Sequence, residues 1–161
     1  MTGGGSSAAG MVKMDWVQMP GMPDIPLQDT AAQLAWLKGV LAGSKEQWKL
    51  VFGHHPVFSG GKTHGSTREL IERFKPLFDK YHVQVYFAGH DHDLQHLRGG
   101  PVDYIVTGAG GEPRPTGRIE QTIYSASMPA FSAVSLFGDS IRVRFVDSEG
   151  KVVYKMSRSY R

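Results

Sequence analysis

Val83-Gln84-Val85-Tyr86-Phe87-Ala88-Gly89-His90-Asp91-His92 is the stretch whose reading decides the fold. Its first six residues are mostly apolar, β-branched or aromatic, in a run too short for an ordinary helix, and they read as a strand buried on both faces. The run stops at a glycine and delivers imidazole at its carboxyl end, where open α/β sheets place their ligand sites. Trp48-Lys49-Leu50-Val51-Phe52-Gly53-His54-His55-Pro56 repeats the pattern. Neutral imidazole is the commonest protein ligand for zinc-like metals, and two histidines one residue apart project the same way from extended backbone. His90 and His92 are therefore expected to face one metal. The alternative is a solvated surface pair; a second Gly-His after a second apolar strand favours the site.

Between the two strands, Ser66-Thr67-Arg68-Glu69 forms a capping-box pattern that opens a helix burying Leu70, Phe74, Leu77 and Phe78. Pro76 should bend or divide that helix. A strand, a crossover helix and a second strand give parallel neighbours in one sheet, which puts His54 and His90 on one edge. The loop from Phe58 to Gly65 is glycine-rich and carries Lys62 and His64. Upstream, Asp29-Thr30 starts an amphipathic helix with Leu34, Leu37 and Leu41, joined by Trp36 and Val40, on a broad apolar stripe, and Gly43 stops it.

Downstream, Asp103 to Thr107 reads as a further strand ending in Gly108-Ala109-Gly110-Gly111. That glycine run lacks the Lys-Ser/Thr of a phosphate loop and is read as a plain turn. Glu112 to Gln121 is a polar loop. Phe131 to Phe137, Ile141 to Val146 and Val152 to Met156 alternate between apolar and polar residues, with turn residues between them, and predict an antiparallel meander. The fold class is α/β (α+β), with parallel strands and flanking helices followed by the meander. Residues 1–27 are expected to be a disordered leader and an irregular segment, with at most one short strand within Val12 to Val17.

Composition bounds the function. The chain has 161 residues, 40% of them hydrophobic, enough for one domain with a sizeable core. A net charge of +3 with scattered basic residues indicates neither a nucleic-acid footprint nor a membrane patch. With no cysteine, disulfides and thiolate metal sites are excluded, so any metal must use His, Asp, Glu, Asn or Tyr. The amino terminus as written lacks a basic stretch followed by an apolar one, so an export signal is not expected in it, and no apolar run approaches the roughly 18 to 20 residues of a membrane span.

Gly53-His54-His55-Pro56-Val57-Phe58-Ser59, His64-Gly65, Gly89-His90-Asp91-His92-Asp93-Leu94-Gln95 and Val106-Thr107-Gly108-Ala109-Gly110-Gly111 follow one another in an order and spacing that resembles a known family. They look like the carboxyl-terminal half of the tartrate-resistant type of purple acid phosphatase, within the calcineurin-like metallophosphoesterases. The likeness runs from about residue 28 to the end and includes the helix at Gln33-Leu34-Ala35-Trp36-Leu37.

The resemblance implies a phosphomonoesterase with a binuclear centre, Fe(III) with Fe(II), Zn or Mn, in a sandwich of two sheets. It implies that His54 and His90 bind the divalent metal, that His92 binds the ferric ion, and that His64 binds phosphate or protonates the leaving oxygen. His55 takes a plainer reading: it points away if the backbone is extended, or lines the pocket mouth. Asp91 and His96 fall beside the metal motif, and Asp93 stands where the family usually has asparagine, adding a carboxylate next to His92. Family members are commonly exported.

The family's other metal ligands lie in an amino-terminal half whose Asp-x-Gly, Gly-Asp and Gly-Asn-His-Asp/Glu motifs do not occur here. Three expectations follow. One is a phosphatase-type chain whose activity needs a missing amino-terminal half. The second is a non-catalytic module in which His54, His90 and His92 hold a single Zn, with water in the open position. The third is a partner-docking or self-associating module with an uncovered sheet.

Overall fold

The structure is a computed structural model that describes residues 11–13 and 30–160. In chain order the elements are β1 (Met11–Lys13), α1 (Thr30–Gly43), β2 (Leu50–Phe52), α2 (Arg68–Arg73), α3 (Lys75–Lys80) and β3 (Val85–Ala88). They continue with β4 (Leu94–Gly99), β5 (Val102–Thr107), β6 (Thr122–Ala126), β7 (Ala130–Leu136), β8 (Ser140–Asp147) and β9 (Val152–Ser159). The expected leader and irregular segment lie outside the described residues, apart from β1.

One sheet has the order β1-β2-β3-β5-β4-β6, and β7-β8-β9 form a second, antiparallel sheet. β1, β2, β3 and β5 pair in parallel, while β4 runs antiparallel to β5 and β6. The central strands are buried on both faces because successive residues enter different cores. Tyr86 and Ala88 of β3, with Tyr104 and Val106 of β5, pack under the helices against Leu37, Leu41, Phe74 and Phe78. Val85, Phe87 and Ile105 point the other way and meet Ile141, Val143, Phe145 and Met156 of the second sheet.

The crossover helix is divided, as Pro76 requires. α2 ends at Arg73, and Pro76 occupies the first turn of α3, where its missing N–H costs no hydrogen bond. Of the apolar stripe expected on α1, Leu37 and Leu41 are buried and Leu34 packs at their side. Trp36 and Val40 differ from expectation, being 48% and 36% exposed; the stripe that meets the sheet is narrower than the apolar composition suggests.

Two strands are additional to those expected. β4 forms a hairpin with β5 through Gly100 at φ +70° and Pro101, Gly100 supplying the left-handed residue that a tight hairpin turn needs. β6 adds the outer edge beside β4. The glycine run after β5 is a turn, as expected.

Buried charge also joins the sheets. Asp103 on β5 is fully buried and accepts hydrogen bonds from Arg98 of β4 and Arg158 of β9. His96, placed by the sequence beside the metal motif, belongs to this layer instead: its Nε2 lies 2.9 Å from Asp103 and its Nδ1 2.7 Å from the Tyr154 hydroxyl. The reason is strand parity, since His96 on β4 is directly opposite Ile105, whose side chain also faces the second sheet.

Candidate metal centre

β2 and β3 end level with one another, Phe52 opposite Phe87, and the ladder continues one step beyond them. The Gly53 N–H donates to the Phe87 carbonyl at 2.9 Å, and the Gly89 N–H donates to the His54 carbonyl at 3.1 Å. The Tyr86 hydroxyl, buried under the helices, donates to the His55 carbonyl at 2.7 Å. Two consecutive histidines are thus fixed by their backbone to β3.

Beyond Gly89 the chain turns at once. The Asp91 N–H donates to the Gly89 carbonyl at 2.8 Å, closing a three-residue turn around His90, whose φ is +62°. A left-handed residue at the centre of such a turn is uncommon and carries strain when it has a side chain. The turn breaks the alternation on which the His-x-His expectation rested, and the group found among the described residues contains His90 without His92.

The group that forms is His54, His55 and His90, one ring nitrogen from each lying within 4.8 Å of the others. Nδ1 of His90 is 3.0 Å from Nε2 of His54, a separation at which one proton, or one metal ion, must stand between two lone pairs. The ring of His55 packs 4.4 Å from that of His90, and the ring of His64 packs 4.0 Å from it on another side. The His55 ring does not point away as extended backbone would dictate, because residues 54 and 55 form a bend. Burial, then the neighbouring His55, His64 and His54, push the His90 imidazole down to about 4, against the pull of Asp91. Burial followed by His54 and His64 also lowers His55. Neutral rings are the form that binds metals.

His92 is outside that group. Its Nδ1 lies 3.0 Å from the Glu112 carbonyl, an acceptor, so Nδ1 carries a proton and donates. The same use of a carbonyl to set the tautomer is common for metal-bound histidine.

Asp91 explains why His64 is here. Its carboxylate is 1% exposed and accepts hydrogen bonds from the backbone N–H groups of His64 at 3.2 Å and Gly65 at 3.1 Å, as well as from the Ser59 hydroxyl. Gly61 and Gly108 make room for this arrangement: a Cβ at Gly61 would collide with the Asp91 carboxylate, and one at Gly108 with its carbonyl oxygen. Gln95 completes the tie. Its amide donates to Ser59 and Asp93, and its carbonyl accepts the Gly60 N–H at 2.8 Å. Burial raises the Asp93 carboxyl against the lowering pull of its hydrogen-bond partners, Gln95 among them, and of His92.

The donor chemistry suits one divalent ion of the zinc class. Three imidazoles and no carboxylate make up the group found among the described residues, and imidazole selects borderline metals over the oxygen-seeking Mg²⁺ and Ca²⁺. A pair of cations also needs bridging anions, and the nearby buried carboxylates are engaged, Asp91 by the loop and Asp93 by Gln95 of β4. Sequence reasoning placed His55 at the pocket mouth and Asp91 beside the metal motif, without His55's membership of the group or Asp91's hold on the loop; the consecutive histidines before Pro56 were the available signal for the first.

The chain is 35% identical over 152 residues to the tartrate-resistant acid phosphatase type 5 of Rattus norvegicus, an alignment covering 87% of this chain and 46% of that protein. It therefore spans about half the length of that relative. In three dimensions it matches GAP50, the anchor in the inner membrane complex of Plasmodium, with a TM-score of 0.82 at 21% identity, covering 95% of this chain and 50% of the other. It matches purple acid phosphatase PPD1 from yellow lupin with a TM-score of 0.73 at 17% identity, over 92% and 30% of the two chains. These structural likenesses concern the fold. The family model for calcineurin-like phosphoesterases matches residues 1–94, which include both strand ends and all the histidines gathered at them; the chain belongs to the calcineurin-like phosphoesterase family.

Proposed function

We propose that this chain carries the histidine-bearing part of a metal-dependent phosphomonoesterase site of the acid phosphatase type. In this reading His54 and His90 bind a divalent ion, His92 binds a ferric ion, and His64 is the general acid. The observation that carries it is the convergence of His54, His90 and His64 at the carboxyl ends of two adjacent parallel strands.

A metal pair, when bound, lowers the pKa of water and neutralises phosphoryl charge. The chain's own residues do the rest. The exposed ring of His64, held by the Asp91 clamp, passes its N–H proton to the leaving oxygen as the P–O bond breaks. Asp91 keeps that ring against His90 and so fixes where the leaving group must lie. The anionic ligands that a second cation needs would come from polypeptide outside the described residues.

Hydrolysis of p-nitrophenyl phosphate at acid pH, by the metal-loaded chain supplied with the amino-terminal half of a relative, tests the reading. Turnover should fall about 10²-fold or more in His64→Ala and vanish with chelator. Turnover indifferent to chelator or to His54→Ala, or none at all in the reconstituted protein, overturns it.

A further inference from the structure

We propose that His55, together with His54 and His90, forms a three-imidazole site that binds one divalent ion of the zinc class on this chain. The site shares two residues with the phosphoesterase reading but goes beyond it: the third ligand is His55 rather than His92, and neither a second cation nor turnover is required.

Geometry supports the assignment first. Zinc–nitrogen bonds of about 2.0–2.1 Å put two tetrahedral ligand atoms about 3.4 Å apart. The His54 and His90 nitrogens, at 3.0 Å, are already near that spacing, and the whole trio lies within 4.8 Å. His54 is exposed and the other two rings are half-buried, and no ligand atom of the trio need move more than the difference between 4.8 Å and that spacing to share one ion. His92 lies outside the group found among the described residues.

The second support is preorganisation. The His54 carbonyl is held by the Gly89 N–H and the His55 carbonyl by the Tyr86 hydroxyl. Three residues from two strand ends are thereby fixed relative to one another before any metal arrives, which removes much of the ordering cost of binding. Three neutral nitrogen ligands on zinc leave a fourth position for water or an anion's oxygen.

The test is calorimetric titration of the chelator-stripped 161-residue chain with Zn²⁺ at neutral pH, with Co²⁺ as an optical probe of coordination. One equivalent should bind. His55→Ala should weaken Zn²⁺ by about tenfold or more, given the 10–100-fold that even outer partners of metal ligands contribute, while His82→Gly, in the turn that follows α3, should stay within about twofold of the parent. His55→Gln, checked by circular dichroism and melting, separates ligand loss from misfolding and should match His55→Ala. No binding, or a His55→Ala affinity within about twofold of the parent, overturns the proposal. Zinc capture through His55 by a protein without phosphatase turnover supports this site and counts only against the phosphoesterase reading. Turnover with zinc affinity indifferent to His55 does the reverse.

Discussion

At the scale of single residues, the site depends on backbone anchors more than on the histidines' own packing. His90 holds a left-handed φ inside a three-residue turn, and His55 faces its neighbours because the Tyr86 hydroxyl fixes its carbonyl. Tyr86→Phe keeps the buried ring and removes one hydrogen bond, so it should cost about 1 kcal/mol of stability. It should also loosen Zn²⁺ binding through His55; urea denaturation and metal titration of the same sample check both. The histidine motifs themselves were legible in the sequence because residue type and spacing carry metal chemistry. The geometry was not, since alternation predicts side-chain direction only on extended backbone, and residues 54–55 and 89–91 bend.

At the scale of elements, the end of α3 presents an unusual cap. The Val83 N–H reaches the Phe78 carbonyl at 2.9 Å and the His82 N–H reaches Asp79 at 3.4 Å, with His82 left-handed at φ +57°. Glycine usually fills that position because it lacks the Cβ that makes the conformation costly. His82→Gly should therefore stabilise the protein by about 1 kcal/mol, read as a raised melting temperature. Joining the two sheets, Asp103 makes the opposite case. Burial alone would raise its carboxyl, but hydrogen bonds from His96 and Arg98 outweigh burial and hold it below the ordinary 3.8. A depressed carboxyl stabilises the fold above its unfolded value and loses that contribution as pH falls through the lower folded value. Asp103→Asn should cost about 3 kcal/mol at pH 7, the low end for a broken buried pair because Arg98 is half exposed. The variant should also show a flatter loss of stability below about pH 4 than its parent in acid-denaturation curves. Strands β3, β5 and β7 to β9 were readable from apolar runs and alternation. β4 was not, because Leu94-Gln95-His96-Leu97-Arg98-Gly99 carries polar residues whose partners, the 59–60 loop for Gln95, Asp103 for His96 and Arg98 and Tyr154 for His96, are supplied only by the fold. Trp36 and Val40 misled because the width of an apolar stripe does not tell how wide a face the sheet offers.

For the whole molecule, the sandwich is closed at its centre and open along β7. Phe145 is fully buried between the sheets, whereas Val134 of β7, directly across from the buried Val143, is 42% exposed. Phe145→Ala should cost about 3–5 kcal/mol and Val134→Ala about 0.5 kcal/mol or less, a contrast that urea denaturation of the two variants checks. The same architecture sets two parallel strand ends side by side, and the metal chemistry rests on that placement. X-ray absorption at the zinc edge, on the chain loaded with one equivalent of Zn²⁺, tests it most directly. The account predicts three imidazole nitrogens at about 2.0 Å, with one imidazole lost in His55→Ala. A shell of oxygens, or a single imidazole, would contradict it.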